Sequence, residues 1–421
     1  MDTRQKFFSE NYLNYMRQAV GLARRGCGMT SPNPAVGAVL VRGGKIIGRG
    51  WHRRAGEPHA EIEALRDAQK HGHNPRGSTL FVTLEPCCTQ GRTPPCTDAI
   101  VAAGIKRVIV GTVDPNPKHA GRAFKILRRA GIAVMRWGEA TDEPRPGSRG
   151  RPPHQKLANE CARLNEAFNH WIVHRTPFVT VKAAMTLDGK IATARGESKW
   201  ITGEAARACG MKLRQGADAI LVGINTILAD DPSLTVRSGT PSPGSARNEA
   251  LPQHAEAVLG APRLRRIVLD SRARTPLNAK VVSDKFATLT TIVVSKSAPK
   301  SRVAALSKRV SVLVAPAARP STLDSRLSTR IDLRWLMREL GAENVTSLLI
   351  EGGGEVNASF LLGGLAQRVA FFYAPKILGG RDSRKAVAGE GARSLAEVVQ
   401  LRDVEWQRLG PDWLLTARVI P

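Results

Sequence analysis

The sequence predicts an α/β protein built from two domains. Segments with the apolar pattern of strands alternate with segments of helical apolar spacing between residues 11 and 114, which is the order expected of an α/β domain. A second α/β pattern begins near residue 177 and runs to the end of the chain. Because 421 residues are enough to bury two separate cores, we predict domains at 1–174 and 175–421.

A segment rich in proline, glycine and charge, 139–155, separates the two patterns. This composition is typical of a linker or an exposed loop. Residues 156–174 follow it with helical apolar spacing and are predicted to form a helix that connects the domains.

In the first domain each element follows from its local pattern. Residues 11–26 are predicted to be an amphipathic helix because Tyr12, Met16 and Val20 recur at helical spacing. The pair Gly43-Gly44 predicts a hairpin between two strands. The predicted order is helix 11–26, a turn and strand at 31–41, strand 45–52, helix 59–70, strand 78–86, helix 97–105 and strand 106–114.

The second domain contains apolar runs of strand length separated by polar segments. The predicted strands are 219–223, 265–270, 289–295, 311–315, 347–354 and 368–378. Two segments rich in turn-forming residues, 238–262 and 315–330, are predicted to be surface loops.

Composition limits the classes of function. The chain has neither a secretory signal pattern nor an apolar run of membrane-spanning length, and six cysteines in 421 residues do not make a disulfide scaffold. We therefore expect a cytoplasmic protein. The net charge of +27 favours phosphorylated ligands. Because the basic residues are spread along the chain and aromatic residues make up only 5%, a solvated basic surface is favoured over nucleic-acid binding.

The sharpest chemical signal is formed by His59, Glu61, Cys87 and Cys96. A catalytic zinc ion needs three protein ligands and one open position, which a histidine and two thiolates provide. Bound zinc lowers the pKa of its water toward neutrality, and Glu61 is placed to move protons without being a ligand. The order H-x-E followed by P-C and a second Cys is that of zinc nucleobase deaminases.

Other interpretations of these residues remain open at this point. His59 is also suited to cap a helix, and buried cysteines commonly act as small hydrophobic residues. Eight residues separate Cys87 from Cys96, whereas the common deaminase motif is C-x-x-C. Cys88 is expected to be a bystander, and three more cysteines are expected to be core thiols: Cys27, Cys161 and Cys209.

Four segments carry a family resemblance: "TSPNPAVGAVLV", "GWHRRAGEPHAEIEAL", "VTLEPCCTQGRTPPC" and "VDPNPKHAGR". They resemble the deaminase domain of the bifunctional riboflavin-biosynthesis deaminase-reductases, in which the longer Cys–Cys spacing is usual. The resemblance implies a cytidine-deaminase-like, three-layer α/β/α fold. It further implies zinc ligands at His59, Cys87 and Cys96, proton transfer by Glu61, and a pyrimidine contact by Asn33. The Cys88-Thr89 pair departs from the Ser-His that the family often has, which leaves substrate contacts there open.

The downstream run "LLIEGGGEVNASFL" reads as a strand, an acidic residue, glycines and a helix. Glycine amides before a helix N-terminus suit a phosphate, although the run alone is equally consistent with a tight turn. With "VKAAMTLDGKIATARGESKWIT" and "GINTILADDPSLTVR" it resembles the reductase domain of the same family. That resemblance implies a dihydrofolate-reductase-like α/β fold that uses NADPH.

Residue roles in this half follow from the resemblance. The implied NADPH site consists of Ala184, Trp200, Thr226, Asp230, Ser271, Gly353 and Gly354. The implied contacts to the substrate are Ser198, Arg214, Leu234, Arg237 and Glu351, and Lys182 is a further candidate polar partner.

The favoured hypothesis is an enzyme with two successive activities on small phosphorylated pyrimidines. Zinc and Glu61 deaminate 2,5-diamino-6-(5-phosphoribosylamino)pyrimidin-4(3H)-one, and NADPH then reduces the ribosyl group of the aminouracil product to ribityl. A homodimer through the reductase domain is expected from the resemblance, with neither nucleic acid nor membrane as a partner. The alternatives are a nucleic-acid-editing deaminase and a non-catalytic protein with a structural zinc ion.

Overall fold

The computed structural model describes residues 10–91, 94–137, 153–236, 264–316 and 331–420. The chain divides into two compact units, Met1–Arg175 and Thr176–Pro421. Of the predicted loops, residues 139–152, all of 238–262 and 317–330 lie outside the described residues, and so does Arg237. Within the described residues no helix is long and apolar enough to span a bilayer.

The first unit contains a five-stranded sheet with the order β2-β1-β3-β4-β5. Strands β1 and β2 form an antiparallel hairpin, β1 also pairs antiparallel with β3, and β3, β4 and β5 run parallel. Its elements are α1 (Glu10–Arg24), β1 (Gly37–Arg42), β2 (Lys45–Trp51), α2 (Ala60–Lys70), β3 (Thr79–Val82), α3 (Cys96–Ala102), β4 (Arg107–Val110), α4 (Arg122–Arg129), β5 (Ala133–Arg136), α5 (Pro153–Leu164) and α6 (Glu166–His174).

Helices cover both faces of this sheet. Alternate residues such as Ala38 and Leu40 pack against α2, α3 and α4, because successive side chains of a strand point to opposite faces. Their neighbours Val39 and Val41 pack against α1 and α5. The expected three-layer α/β/α arrangement is therefore confirmed.

Glycine in β2 brings α2 very close to the sheet. A β-carbon at Gly50 would strike the backbone of Ala60 and Ala64. The close approach fixes the N-terminus of α2, and with it His59, relative to the strands.

The connecting segment 156–174 is two helices, not one, so that prediction was wrong. Helix α5 ends at Leu164 and α6 begins at Glu166. The buried Asn165 between them accepts a hydrogen bond from Ala35 N at 2.7 Å and donates one to Ala35 O at 2.9 Å. Asparagine competes well for backbone partners of this kind, which explains why the helix breaks here although its apolar pattern continues.

The second unit is built on a nine-stranded sheet. Its elements are β6 (Phe178–Thr186), β7 (Lys190–Ala192), α7 (Glu204–Gln215), β8 (Ala219–Gly223), α8 (Ile224–Asp230), β9 (Arg265–Leu269), α9 (Lys280–Ser283), β10 (Thr290–Ser295), α10 (Lys300–Ser307), β11 (Ser311–Ala315), α11 (Leu333–Ala342), β12 (Ser347–Ile350), α12 (Gly354–Leu362), β13 (Arg368–Ala374), β14 (Arg384–Lys385), β15 (Leu401–Leu409) and β16 (Asp412–Val419).

The strand order of this sheet is β11-β10-β9-β8-β12-β6-β13-β16-β15. The first seven run parallel, and β16 and β15 add an antiparallel hairpin at one edge. Helices α11 and α12 cover one face, and α8, α9 and α10 cover part of the other. Because parallel strands end at one edge of the sheet, the segments that follow β6, β8, β9 and β12 meet there, where α/β sheets bind ligands.

Candidate functional site

Three candidate zinc ligands lie at the ends of separate elements of the first unit. His59 is the residue before α2 and has extended backbone angles. Cys87 lies in the loop that leaves β3, and Cys96 is the first residue of α3. The position of each candidate ligand is thus fixed by the helix or strand next to it, and the three elements are brought together by the fold.

The distances fit a single tetrahedral ion. His59 Nδ1 lies 3.4 Å from Cys87 Sγ and 3.3 Å from Cys96 Sγ, and the three ligand atoms lie within 4.8 Å of one another. Bond lengths typical of zinc predict about 3.5 Å between a nitrogen and a sulfur ligand. Within the described residues, this is the only histidine, cysteine and carboxylate group placed to hold an ion.

The two thiols differ in protonation. Hydrogen bonding to Cys87, and then burial, raises the pKa of the Cys96 thiol. Hydrogen bonding from Cys96, and further from His59, outweighs burial and lowers the pKa of Cys87 to about 4. The amide of Cys96 donates to Cys87 Sγ at 3.3 Å. Cys87 is therefore ready to act as a thiolate, the form that binds zinc.

Glu61 lies on the first turn of α2, two residues after His59, and only 3% of it is exposed. It is not part of the three-ligand group. Burial, and then the charge of Cys87, raises the pKa of Glu61 above its ordinary value. A carboxyl group with a raised pKa is suited to accept and return a proton near neutral pH.

Asn33 is held by a histidine that sequence reasoning missed. His52 is buried, and its Nδ1 lies 3.1 Å from Pro58 O, so that nitrogen carries the hydrogen and donates. Asn33 Nδ2 then donates to His52 Nε2 at 3.3 Å. The ring centroids of His52 and His59 lie 5.1 Å apart. Only the His52 ring therefore lies between the Asn33 amide and the candidate zinc ligand His59.

Cys88 points away from the ligand group and toward His119. Its Sγ lies 3.5 Å from His119 Nδ1. Glu85 holds the loop that carries this histidine, because its carboxylate accepts hydrogen bonds from the amides of Asp114, Gly121 and Ala123. Neither His119 nor Glu85 was singled out from sequence. The only available signal was the acidic residue two positions before Cys87.

The remaining cysteines do not all match expectation. Cys161 is buried in the core between α1 and α5, as predicted. Cys209 is half-buried. Cys27 is exposed, so its assignment as a core thiol was wrong. It lies in the turn after α1, where the apolar pattern of the helix has already ended.

In the second unit, Lys182, Arg214 and Glu351 meet where β12 ends, beside the middle of β6. Arg214 forms two parallel hydrogen bonds to Glu351, at 2.7 and 2.9 Å. Lys182 Nζ lies 3.5 Å from the same carboxylate. Burial alone would raise the pKa of Glu351, but the charges of Lys182 and Arg214 outweigh it and lower the pKa to about 2.

This geometry leaves the Arg214 guanidinium few N–H groups with which to contact a ligand. Two of its nitrogens are turned to Glu351, and Nη1 donates to Thr235 O at 3.2 Å. Arg214 therefore organises Glu351 and the segment after α8, whereas the Lys182 ammonium has fewer protein partners and is better placed to meet a ligand.

Two other predicted substrate contacts are described. Ser198 is half-buried in the turn before Trp200. Leu234 is only 3% exposed and packs into the core beneath α8 and α9. That figure covers the whole residue, so its backbone is buried as well as its side chain.

The predicted NADPH residues occupy the same edge of the sheet or its approaches. Ala184 is in β6, Thr226 and Asp230 are in α8, and Ser271 follows β9. Trp200 is 67% exposed, with Arg207 stacked 4.7 Å from its ring. Lys199, the residue before it, lies 3.8 Å from the Asp230 carboxylate, which links this turn to the end of α8.

The glycine turn before α12 fits a phosphate. A β-carbon at Gly354 would strike Lys385 O and Ala388, so the fold itself requires that glycine. A β-carbon at Gly353 would meet no atom within 4 Å. Open space above an amide that precedes a nine-residue helix is what an approaching phosphate needs.

Comparison with known proteins covers both units. Residues 9–112 match the model of the cytidine and deoxycytidylate deaminase zinc-binding region, and residues 177–415 match that of the RibD C-terminal domain. The riboflavin biosynthesis protein RibD of Actinobacillus pleuropneumoniae is 38% identical over 97% of this chain and 95% of its own. The RibD of Aquifex aeolicus is 39% identical over 96% of this chain and 97% of its own.

Solved structures agree. The RibD of Acinetobacter baumannii superposes with a TM-score of 0.76 at 31% identity, covering 98% of this chain and 99% of that one. A Thermotoga maritima protein described as a diaminohydroxyphosphoribosylaminopyrimidine deaminase/5-amino-6-(5-phosphoribosylamino)uracil reductase gives a TM-score of 0.72 at 31% identity, covering 97% and 99%. The predicted fold class is confirmed in both units. The chain belongs to the RibD family of riboflavin biosynthesis proteins.

Proposed function

We propose that the chain carries out two successive steps of riboflavin biosynthesis. The first unit hydrolyses the amine of 2,5-diamino-6-(5-phosphoribosylamino)pyrimidin-4(3H)-one. The second reduces the ribosyl group of 5-amino-6-(5-phosphoribosylamino)uracil to ribityl with NADPH. The observation that carries the proposal is the meeting of His59, Cys87 and Cys96 beside a buried Glu61 that is not a ligand. The matching description of the Thermotoga maritima relative supports the choice of substrates.

In the deamination step, His59, Cys87 and Cys96 would hold a zinc ion, which would supply an activated water as nucleophile. The Glu61 carboxylate accepts a proton from the attacking water and returns it to the departing amine. Asn33 contacts the pyrimidine edge, with its amide oriented by His52. A closed structural zinc site would have four protein ligands, whereas three are gathered here.

In the reduction step, bound NADPH would supply a hydride to the opened ribose aldehyde carbon and become NADP⁺, while a proton from solvent would complete the alcohol. We propose that Gly353 and the N-terminus of α12 hold cofactor phosphates and that Thr226, Asp230, Ser271, Ala184 and Trp200 line its site. Lys182 faces the substrate while Glu351 and Arg214 fix its position. The chain's own contribution is mainly to orient the two reactants.

The nucleic-acid-editing alternative is not favoured. The family match extends over both units, and RNA or DNA editing gives no role to the ion cluster around Glu351. The net charge of +27 exceeds what one substrate phosphate requires, and nothing in the structure explains the excess.

Mass spectrometry of products from the diaminopyrimidine substrate, with and without NADPH, tests the proposal. Replacement of the amine by a carbonyl is expected without NADPH, followed by a gain of two hydrogens when NADPH is added. Deamination without reduction would overturn the assignment of the second unit. A folded, zinc-loaded protein that leaves the substrate unchanged would overturn the assignment of the first.

We also propose a homodimer formed through the second unit. The edge strand β15 is exposed along almost its whole length. Trp406 and Trp413 are 56% and 42% exposed, and Trp406 contacts Tyr373 on the same face, with ring centroids 5.7 Å apart. An apolar face on an unpaired edge is typical of a protein interface, and a second copy would bury it on both subunits.

We further propose that the protein works in the cytoplasm. All six cysteines are free, and the three near the first site include two zinc ligands. A reducing compartment keeps such thiols available to the metal.

A further inference from the structure

The segment between α8 and residue 237 is held in an unusual backbone conformation. Asp231, which caps the C-terminus of α8, and Leu234 have φ angles of 40° and 50°, in the left-handed region. Aspartate adopts this region readily, whereas leucine avoids it. Strain of this kind persists where the surroundings enforce it, and it is concentrated at ligand sites.

Arg266, in the middle of the sheet, is one of the groups that enforce it. Its side chain is fully buried, and all five of its N–H donors have acceptors. Its Nη1 donates at 3.0 Å to the carbonyl oxygen of Ser233, a residue that lies between Asp231 and Leu234 in the chain. The remaining acceptors are Thr290 Oγ1, Val281 O and both oxygens of Asp284.

Arg214 holds the segment from its other side. Its Nη1 donates to Thr235 O, while the rest of the guanidinium binds Glu351. The two arginines thus donate hydrogen bonds to the carbonyl groups of Ser233 and Thr235, on either side of Leu234. The Leu234 side chain packs in the core. The backbone of 231–236 is thereby fixed beside the Lys182–Glu351 cluster.

Stability alone does not account for Arg266. Well-packed apolar residues commonly stabilise a core as much as a buried ion pair does. Two of its acceptors have other partners, because Thr290 Oγ1 donates to Val281 O and Phe286 N donates to Asp284. Among the described residues, Ser233 O accepts its side-chain hydrogen bond from Arg266.

We propose that Arg266 is a positioning residue for the pyrimidine substrate of the reductase unit, acting through Ser233 to hold segment 231–236 against that substrate. The inference rests on the proposed function. Loss of the arginine lets Leu234 and its neighbours relax out of the left-handed conformation, so the substrate binds more weakly while hydride transfer in the bound complex is preserved.

Steady-state kinetics of Arg266→Met test the proposal. The KM for the aminouracil substrate is expected to rise about tenfold, with kcat and the KM for NADPH changed less than about twofold. Deamination by the same preparation shows that the first unit is intact. Arg334→Met is the matched control, since Arg334 also donates to one main-chain carbonyl, Gly363 O, but touches no part of 231–236. It should leave the substrate KM unchanged.

Asp284→Asn provides a second variant that keeps the arginine and only weakens its hold, since an amide accepts at one position instead of two. It should raise the same KM and accelerate hydrogen exchange of the amides in 231–236. An unchanged KM in Arg266→Met, or in Asp284→Asn if the first variant does not fold, overturns the proposal. Fast exchange of these amides in the wild type also overturns it. Wild-type protein that does not reduce the substrate refutes the proposed function instead.

Discussion

At the scale of single residues, replacing Glu61 distinguishes a role in catalysis from a role in metal binding. Glu61→Gln keeps the size of the side chain and leaves His59, Cys87 and Cys96 in place. We expect zinc content to be unchanged and deamination to fall by about 10²–10⁴-fold, the usual contribution of general acid–base catalysis. Metal analysis and a deamination assay measure the two properties.

Glu63→Gln is the matched control for that variant. Glu63 lies on the same turn of α2 but pairs with Arg53 and Arg66 at the surface, so its replacement should leave deamination unchanged. Loss of zinc in Glu61→Gln would contradict the assignment, since it would make Glu61 part of the metal-holding structure.

Glu351 predicts how the second unit responds to acid. Its pKa is lowered to about 2 in the folded protein from an ordinary value of 4.5. The ionised carboxylate therefore stabilises the fold above pH 4.5, and that contribution, on the order of 3 kcal/mol, is lost as the pH falls toward 2.

Chemical denaturation at several pH values tests this. In Glu351→Gln the second unit should be less stable than the wild type at pH 7, because Arg214 and Lys182 lose their partner. The difference in unfolding free energy should shrink below pH 4.5. A difference that stays constant down to pH 3 would show that the carboxylate does not carry the acid dependence.

The candidate zinc ligands could be proposed from sequence because their residue types and order are set by the chemistry of the ion, and the structure brings the three side chains together. His52, His119 and Glu85 could not, because each acts through a contact with a residue distant in the chain, such as Asn33 for His52. Single positions of this kind have no local pattern. Their roles follow only from tertiary structure.

At the scale of elements, the break between α5 and α6 places Asn165 where it stabilises the segment around Ala35, and this role can be tested. Asn165 satisfies both the N–H and the C=O of Ala35, which lies two residues after Asn33. Asn165→Ala leaves both backbone groups without these partners in a buried site, and we expect a loss of about 2–4 kcal/mol in unfolding free energy.

Denaturation of the first unit measures that loss, and deamination should fall with it because Ala35 anchors the segment that carries Asn33. Asn165→Asp retains the acceptor but turns a buried carboxylate oxygen toward Ala35 O, so at neutral pH it should be no more stable than the alanine variant. Equal stability of Asn165→Ala and the wild type would contradict the argument.

Elements with clear periodicity were predicted well, and ambiguous ones were not. Helix α1 and strands β1 to β4 lie within a few residues of their predicted positions, whereas α4 and β5 were not predicted. The hairpin of β15 and β16 was missed, because "LRDVEWQRL" mixes charged and aromatic residues and its strand is exposed on both faces. Its existence depends on pairing with β13, which no local pattern shows.

At the scale of the whole molecule, the exposed hairpin predicts the assembly state. Trp406→Glu places a charge in the proposed interface and should convert a dimer to a monomer in sedimentation velocity, since a buried unpaired charge is costly. Gln407→Glu, on the opposite face of the same strand, should leave the dimer intact. A monomeric wild type would refute the proposed dimer.

The strand order of the second unit also constrains the order in which it can be made. Strand β12 is inserted between β8 and β6, although about 120 residues separate it from β8 in the chain. At ribosomal speeds, roughly ten to thirty seconds pass between synthesis of Lys182 and synthesis of Glu351. During that interval the edges of β6 and β8 that later pair with β12 have no partner strand. The first unit is by then fully synthesised and free to fold. Nascent chains of this protein should therefore depend on chaperones at their second unit and not at their first.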